Sequence, residues 1–70
     1  MEYVIRISRD NEAGVWIAVN DYIPLALESE SLDNLIERVR VAVPELLELN
    51  NLPLARYISF FAEMREEVAA

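Results

Sequence analysis

The chain has 70 residues, thirteen of them acidic and six arginine, with no lysine, histidine or cysteine and a net charge of −7 at pH 7. This length holds one domain, and the missing residue types exclude disulfides, the usual zinc sites, a thiol nucleophile and an imidazole base. The arginines (Arg6, Arg9, Arg38, Arg40, Arg56 and Arg65) are scattered among acids, so no phosphate-neutralising patch forms. The charge favours a basic protein partner and gives no reason to expect direct contact with nucleic acid.

A hydrophobic fraction of 54% argues against disorder. No apolar run approaches the roughly 20 residues of a membrane-spanning helix. The opening "MEYVIRIS" lacks the basic start of a signal peptide, so a cytoplasmic location without a membrane partner is expected.

In chain order, "EYVIRIS" (2–8) reads as a strand with Tyr3, Ile5 and Ile7 on one face and Val4, Arg6 and Ser8 on the other. "RDNEAG" (9–14) has turn chemistry, and Gly14, the sole glycine, can take a positive φ without steric cost. Val15 to Val19 then forms the second strand of a hairpin. "NDYIP" closes it, and "LALESE" (25–30) gives a shorter third strand with Leu25 and Leu27 on one side.

The period then changes. Leu32, Leu35, Ile36, Val39, Ala42, Val43, Leu46 and Leu47 recur at helical spacing. Ser31 is a suitable N-cap and Asp33 sits favourably in the first turn. Pro44 conflicts with that helix, because it removes one backbone donor and crowds the preceding turn. The expectation is a kinked helix from 32 to about 49, or two shorter ones, ended by Asn50 and Asn51. The last segment (54–69) fits two patterns. Ile58, Phe60, Ala62 and Met64 alternate as in a strand, while Leu54, Ile58, Phe61, Met64 and Val68 make a helical stripe and "AEMREE" favours helix.

Three strands, a helix and a closing strand make an α+β domain with one helix on one face of a sheet. The other face stays uncovered. It carries Val4, Trp16, Ala18, Tyr57 and Phe61, or else Trp16 joins the covered core and Val15, Ile17 and Val19 face out. In either arrangement the surface is too apolar to stay wet, and it should bind a second copy or a partner.

Little in the sequence supports catalysis. Glu28 with Glu30, and Glu45 with Glu48, are spaced as pairs on one face, but that spacing is ordinary on an acidic surface and reads as solvated. "DNE" (10–12) lacks the rest of a calcium loop, one glycine cannot build a phosphate loop, and Ser8, Ser29, Ser31 and Ser59 have no histidine to activate them. No enzyme activity, cofactor or metal is expected. Trp16, Tyr22 and Tyr57 lack the basic groove that base stacking needs and are read as core or interface. Interface centres are apolar and their rims polar, so Trp16, Tyr22 and Tyr57 are the candidate anchors, with Phe61 beside them. Asp21, Glu28 and Glu30 are the candidate rim.

Across "GVWIAVNDYIPLALESESLDNLIERVRVAVPELLE" the chain resembles the HicB-like antitoxin family. The resemblance rests on Gly14, Trp16 and Ala18, on Asp21 with Ile23 and Pro24, on the short acidic strand, and on Ser31 and Leu32 opening a helix. "AVPELLE" most resembles a small stand-alone bacterial subfamily of unknown function. The resemblance implies a partial ribonuclease-H-like fold, β-β-β-α-β, with the last strand parallel to the first, which favours a strand over 56–64. It also makes Pro44 an expected residue. It implies a homodimer or higher oligomer that binds and blocks a small basic toxin, HicA, which cleaves messenger RNA. The chain departs from the family where Pro24 is followed by Leu25 and Ala26 in place of a Pro-Gly-Cys turn. No room is left for the C-terminal DNA-binding domain many members carry, so operon autoregulation by this chain alone is not expected. The first strand also lacks the aspartate of the ribonuclease H enzymes. The alternative to an antitoxin is a stand-alone homodimeric domain that binds an unrelated protein or small ligand.

Overall fold

A computed structural model describes residues 1–65, 68 and 69. Its elements are β1 (Glu2–Asp10), β2 (Val15–Val19), β3 (Ala26–Ser29), α1 (Leu32–Leu49) and β4 (Tyr57–Glu63). The four strands form one mixed sheet in the order β3-β2-β1-β4. β1 is antiparallel to β2 and β2 to β3, while β4 returns beside β1 and parallel to it. This is the α+β architecture, β-β-β-α-β, that the sequence implies.

β1 alternates as its sequence does, with Tyr3, Ile5 and Ile7 buried and their neighbours exposed. It runs two residues further than "EYVIRIS", because Arg9 and Asp10 pair with Trp16 and Val15 and do not begin the turn. The turn is the four-residue loop 11–14. The Asp10 carboxylate accepts from the backbone N–H groups of Glu12 (3.0 Å) and Ala13 (3.1 Å), and the Gly14 N–H donates to the Asp10 carbonyl at 2.8 Å. Gly14 has φ +69°, a left-handed conformation that costs other L-residues about 1–2 kcal/mol.

α1 is one continuous helix with Pro44 inside it, so the two-helix alternative does not occur. Ser31 caps it by accepting from the Asn34 N–H at 3.2 Å. Its buried positions, Leu35, Val39, Val43 and Leu47, fall at helical intervals and pack on the covered sheet face. Arg38 ties the helix to the sheet by donating to the Glu28 carbonyl at 2.8 Å. Asn50 is the C-cap, and Asn51 follows at φ +51°.

The core comprises Tyr3, Ile5, Ile7, Ala18, Ile23, Leu25 and the four buried helix residues. Tyr3 reconciles its hydroxyl with burial by donating to the Pro53 carbonyl at 2.7 Å, which also anchors the connection into β4. Of the two patterns in the last segment, the strand forms over Tyr57–Glu63. The ladder to β1, from Glu2↔Tyr57 to Ser8↔Glu63, satisfies backbone groups along that whole length, which a lone terminal helix on this edge would not do. Glu66 and Glu67 of the helix-favouring "AEMREE" lie outside the described residues.

Candidate interaction face

Registers fix which side chains share a face. Ile7 pairs with Ala18 and Arg9 with Trp16, so Ala18 and Trp16 lie on the same side as the buried β1 residues, under the helix. Ala18 is fully buried and Trp16 packs against the core, half-buried, with the Arg9 guanidinium 5.3 Å from its ring centroid. The placement of Trp16 and Ala18 on the uncovered face is therefore corrected. The other arrangement holds: Val15, Ile17 and Val19 point outward.

On the open face these three meet Val4, Arg6 and Ser8 of β1, Tyr57, Ser59, Phe61 and Glu63 of β4, and Ala26 and Glu28 of β3. Tyr57 is 62% exposed, Phe61 60% and Val4 48%. Arg6 stands in the middle, between Val19 and Phe61, and reaches Asp21 in a 2.6 Å ion pair. Its aliphatic stem can lie along the apolar neighbours while Asp21 holds the charged end. The Ser59 hydroxyl donates to the Glu2 carboxylate across the β1–β4 seam.

The loop after β2 completes this surface. β2 pairs with β1 only from Arg6 to Asp10, and beyond that Asn20 takes over. Its Nδ2 donates to the Val4 carbonyl at 2.7 Å, and its Oδ1 accepts from the N–H groups of Tyr22 (2.7 Å) and Ile23 (2.8 Å). This turns the chain so that Ile23 enters the core and Tyr22 projects into solvent, 78% exposed. Asp21 and Tyr22 border a small depression with Glu2, Val4 and Arg6.

Of the sequence candidates, Tyr57, Phe61 and Glu28 share the open face, and Asp21 and Tyr22 border it. Glu30 is exposed just past β3, before the helix cap, and Trp16 is on the opposite side. Arg6 and Asn20 are site residues that the sequence candidates do not include. Asn20 followed by Asp21 at a strand end is itself a side-chain turn signature. Arg6 carries no such signal, since its partner becomes visible only with the register. Among the described residues, no group of three or more acids is placed to hold a metal ion, and no helix is long and apolar enough to cross a membrane.

The family model "Domain of unknown function (DUF1902)" matches residues 2–69. The chain belongs to this family. Among solved structures it is similar to the hypothetical protein TTHA1013 from the extremely thermophilic bacterium Thermus thermophilus. The two are 34% identical with a TM-score of 0.76, and the match covers 100% of each chain. No curated protein matches the chain. The match shows a family of unknown function.

Proposed function

We propose that this chain is a non-enzymatic protein-interaction module of the antitoxin type, which binds a small, basic, HicA-like messenger-RNA-cleaving protein and blocks it by occlusion. The observation that carries this reading is the open sheet face. Val4, Val15, Ile17, Val19, Tyr57 and Phe61 supply its apolar area, with Arg6 between Val19 and Phe61 and neutralised by Asp21, and Glu2, Glu28 and Glu63 carry further acidic charge on the same face. An apolar centre with a charged rim is the composition of a specific interface. The rim is acidic, so it attracts a basic partner and repels a second copy of the same face. The resemblance to HicB-like antitoxins supports the same reading from the sequence.

The test is co-expression with any small basic protein encoded beside this gene, followed by purification and a ribonuclease assay. A complex in which messenger-RNA cleavage is silenced, and restored by Phe61→Asp, supports the proposal. A neighbour whose ribonuclease activity is unaffected by the chain would overturn it and favour the stand-alone homodimeric domain.

A further inference from the structure

We propose that the groove between α1 and β4 binds a small anionic amphiphile, a medium-chain carboxylate whose head group is held by Arg40 and Arg56. The groove lies on the helix side of the sheet and the proposed basic partner uses the opposite face, so the two readings stand or fall separately.

α1 lies over β2 and β3 and stops short of β4. Ile58 and Phe60 point to the helix side, since they pair with Tyr3 and Ile5, yet neither is fully buried. Phe60 is 37% exposed, and Leu54, in the connection before β4, is 76% exposed. With Val43, Pro44 and Leu47 of α1 they line a groove of about 400 Å³. Small-ligand sites span about 300–1,000 Å³, and at about 30 Å³ per water-sized group this one holds on the order of a dozen non-hydrogen atoms. Its walls are fixed before a ligand arrives. The Tyr3 hydroxyl donates to the Pro53 carbonyl at 2.7 Å and the Arg56 N–H to the Met1 carbonyl at 2.8 Å, so the segment carrying Leu54 and Arg56 is tied down on both sides. Pro44, the residue of α1 that opposes the helix, also stands in this wall, and residues that break a local rule concentrate at functional sites.

Charge selects the occupant. Three other depressions among the described residues each include a carboxylate: Glu37 and Glu45 beside β3, Glu63 at the end of β4, and Glu2 with Asp21 beside the Asn20 turn. This groove is lined by two arginines and, among the described residues, by no acid, on a chain of net charge −7. Among the described residues Arg56 has no carboxylate at ion-pair distance, and its guanidinium lies 5.7 Å from the Tyr57 ring centroid. Arg40 pairs with Glu37 at 3.1 Å, but both side chains are exposed, and such a weak pair yields to an incoming anion. A guanidinium matches a carboxylate through two parallel N–H donors. The apolar walls then call for an apolar body behind the head group, which a bare inorganic anion lacks.

The probe is sodium decanoate, titrated below its micelle-forming concentration into isotope-labelled protein and followed by amide shifts. Saturable shifts centred on Leu47, Leu54, Arg56 and Phe60 are expected. Affinity should rise about two- to fourfold per methylene from hexanoate to decanoate. Decyltrimethylammonium, with the same tail and a cationic head, should bind about tenfold more weakly. The net charge of the chain favours that cation, so only the local arginines can produce this order. Arg56→Gln should raise the decanoate Kd about tenfold, and Val41→Gln, on the other flank of α1, should leave it unchanged. The head-group comparison uses the unaltered chain, so it decides the matter even if Arg56→Gln fails to fold. Equal or tighter binding of the cation would overturn the proposal, as would shifts centred on Val4, Val19 and Phe61 of the open face. So would the absence of saturable binding, and groove amides that shift instead on dilution of the protein would give the groove to a second copy.

Discussion

Asn20 shows how much one exposed polar residue decides. It substitutes for β2 where pairing with β1 stops, and it sets the turn that separates buried Ile23 from exposed Tyr22. Asn20→Ala abolishes three hydrogen bonds at once and should lower stability by about 1–3 kcal/mol, read from the urea midpoint. Asp21→Ala should cost less than about 1 kcal/mol, because its pair with Arg6 is exposed on both sides. Its effect belongs to binding: with Arg6 released, a basic partner meets an added positive charge and one acid fewer. Trp16 behaves oppositely. Trp16→Ala removes a half-buried ring from the covered face and should cost about 2 kcal/mol in folding, less than the 3–5 of a full core aromatic. The folded fraction should bind a partner normally. Phe61→Asp should reverse this pattern, leaving the urea midpoint nearly in place and abolishing binding in a titration.

At the scale of elements, α1 is held by its cap, by Arg38 and by its apolar stripe, against the opposition of Pro44. A proline inside a helix costs about 3 kcal/mol relative to alanine, partly offset because it restricts the unfolded chain by about 0.4–1 kcal/mol. Pro44→Ala should therefore stabilise the monomer by about 2–2.6 kcal/mol, seen as a higher melting temperature with unchanged helix signal. The hairpin and the helix were legible in the sequence because each follows a single period, two for β1 and 3.6 for α1, with Gly14 and Ser31 punctuating them. β4 was not, because its apolar residues satisfy both periods. What decides between them is the ladder to β1, at the far end of the chain, which only the fold or the family resemblance supplies. The side of Trp16 was illegible for a related reason. β2 is apolar on both faces, and only the pairing of Ile7 with Ala18 determines which one the helix covers.

For the whole molecule, charge separates the two kinds of association. Two copies that each carry −7 repel as they approach. Binding a basic protein to the acid-rimmed face is instead an attraction between opposite charges. Screening acts on these with opposite signs. The Debye length falls from about 10 Å at 0.1 M salt to about 3 Å at 1 M. Raising salt across that range should tighten any homodimer, because it screens the summed repulsion of two −7 chains. The same change should weaken the complex with a basic partner and slow its association, since electrostatic steering is lost. Sedimentation for the dimer and stopped-flow fluorescence for the complex, run on the same samples, measure both trends. Opposite slopes are expected. A homodimer that dissociates with salt would mean that its contacts are mainly ionic.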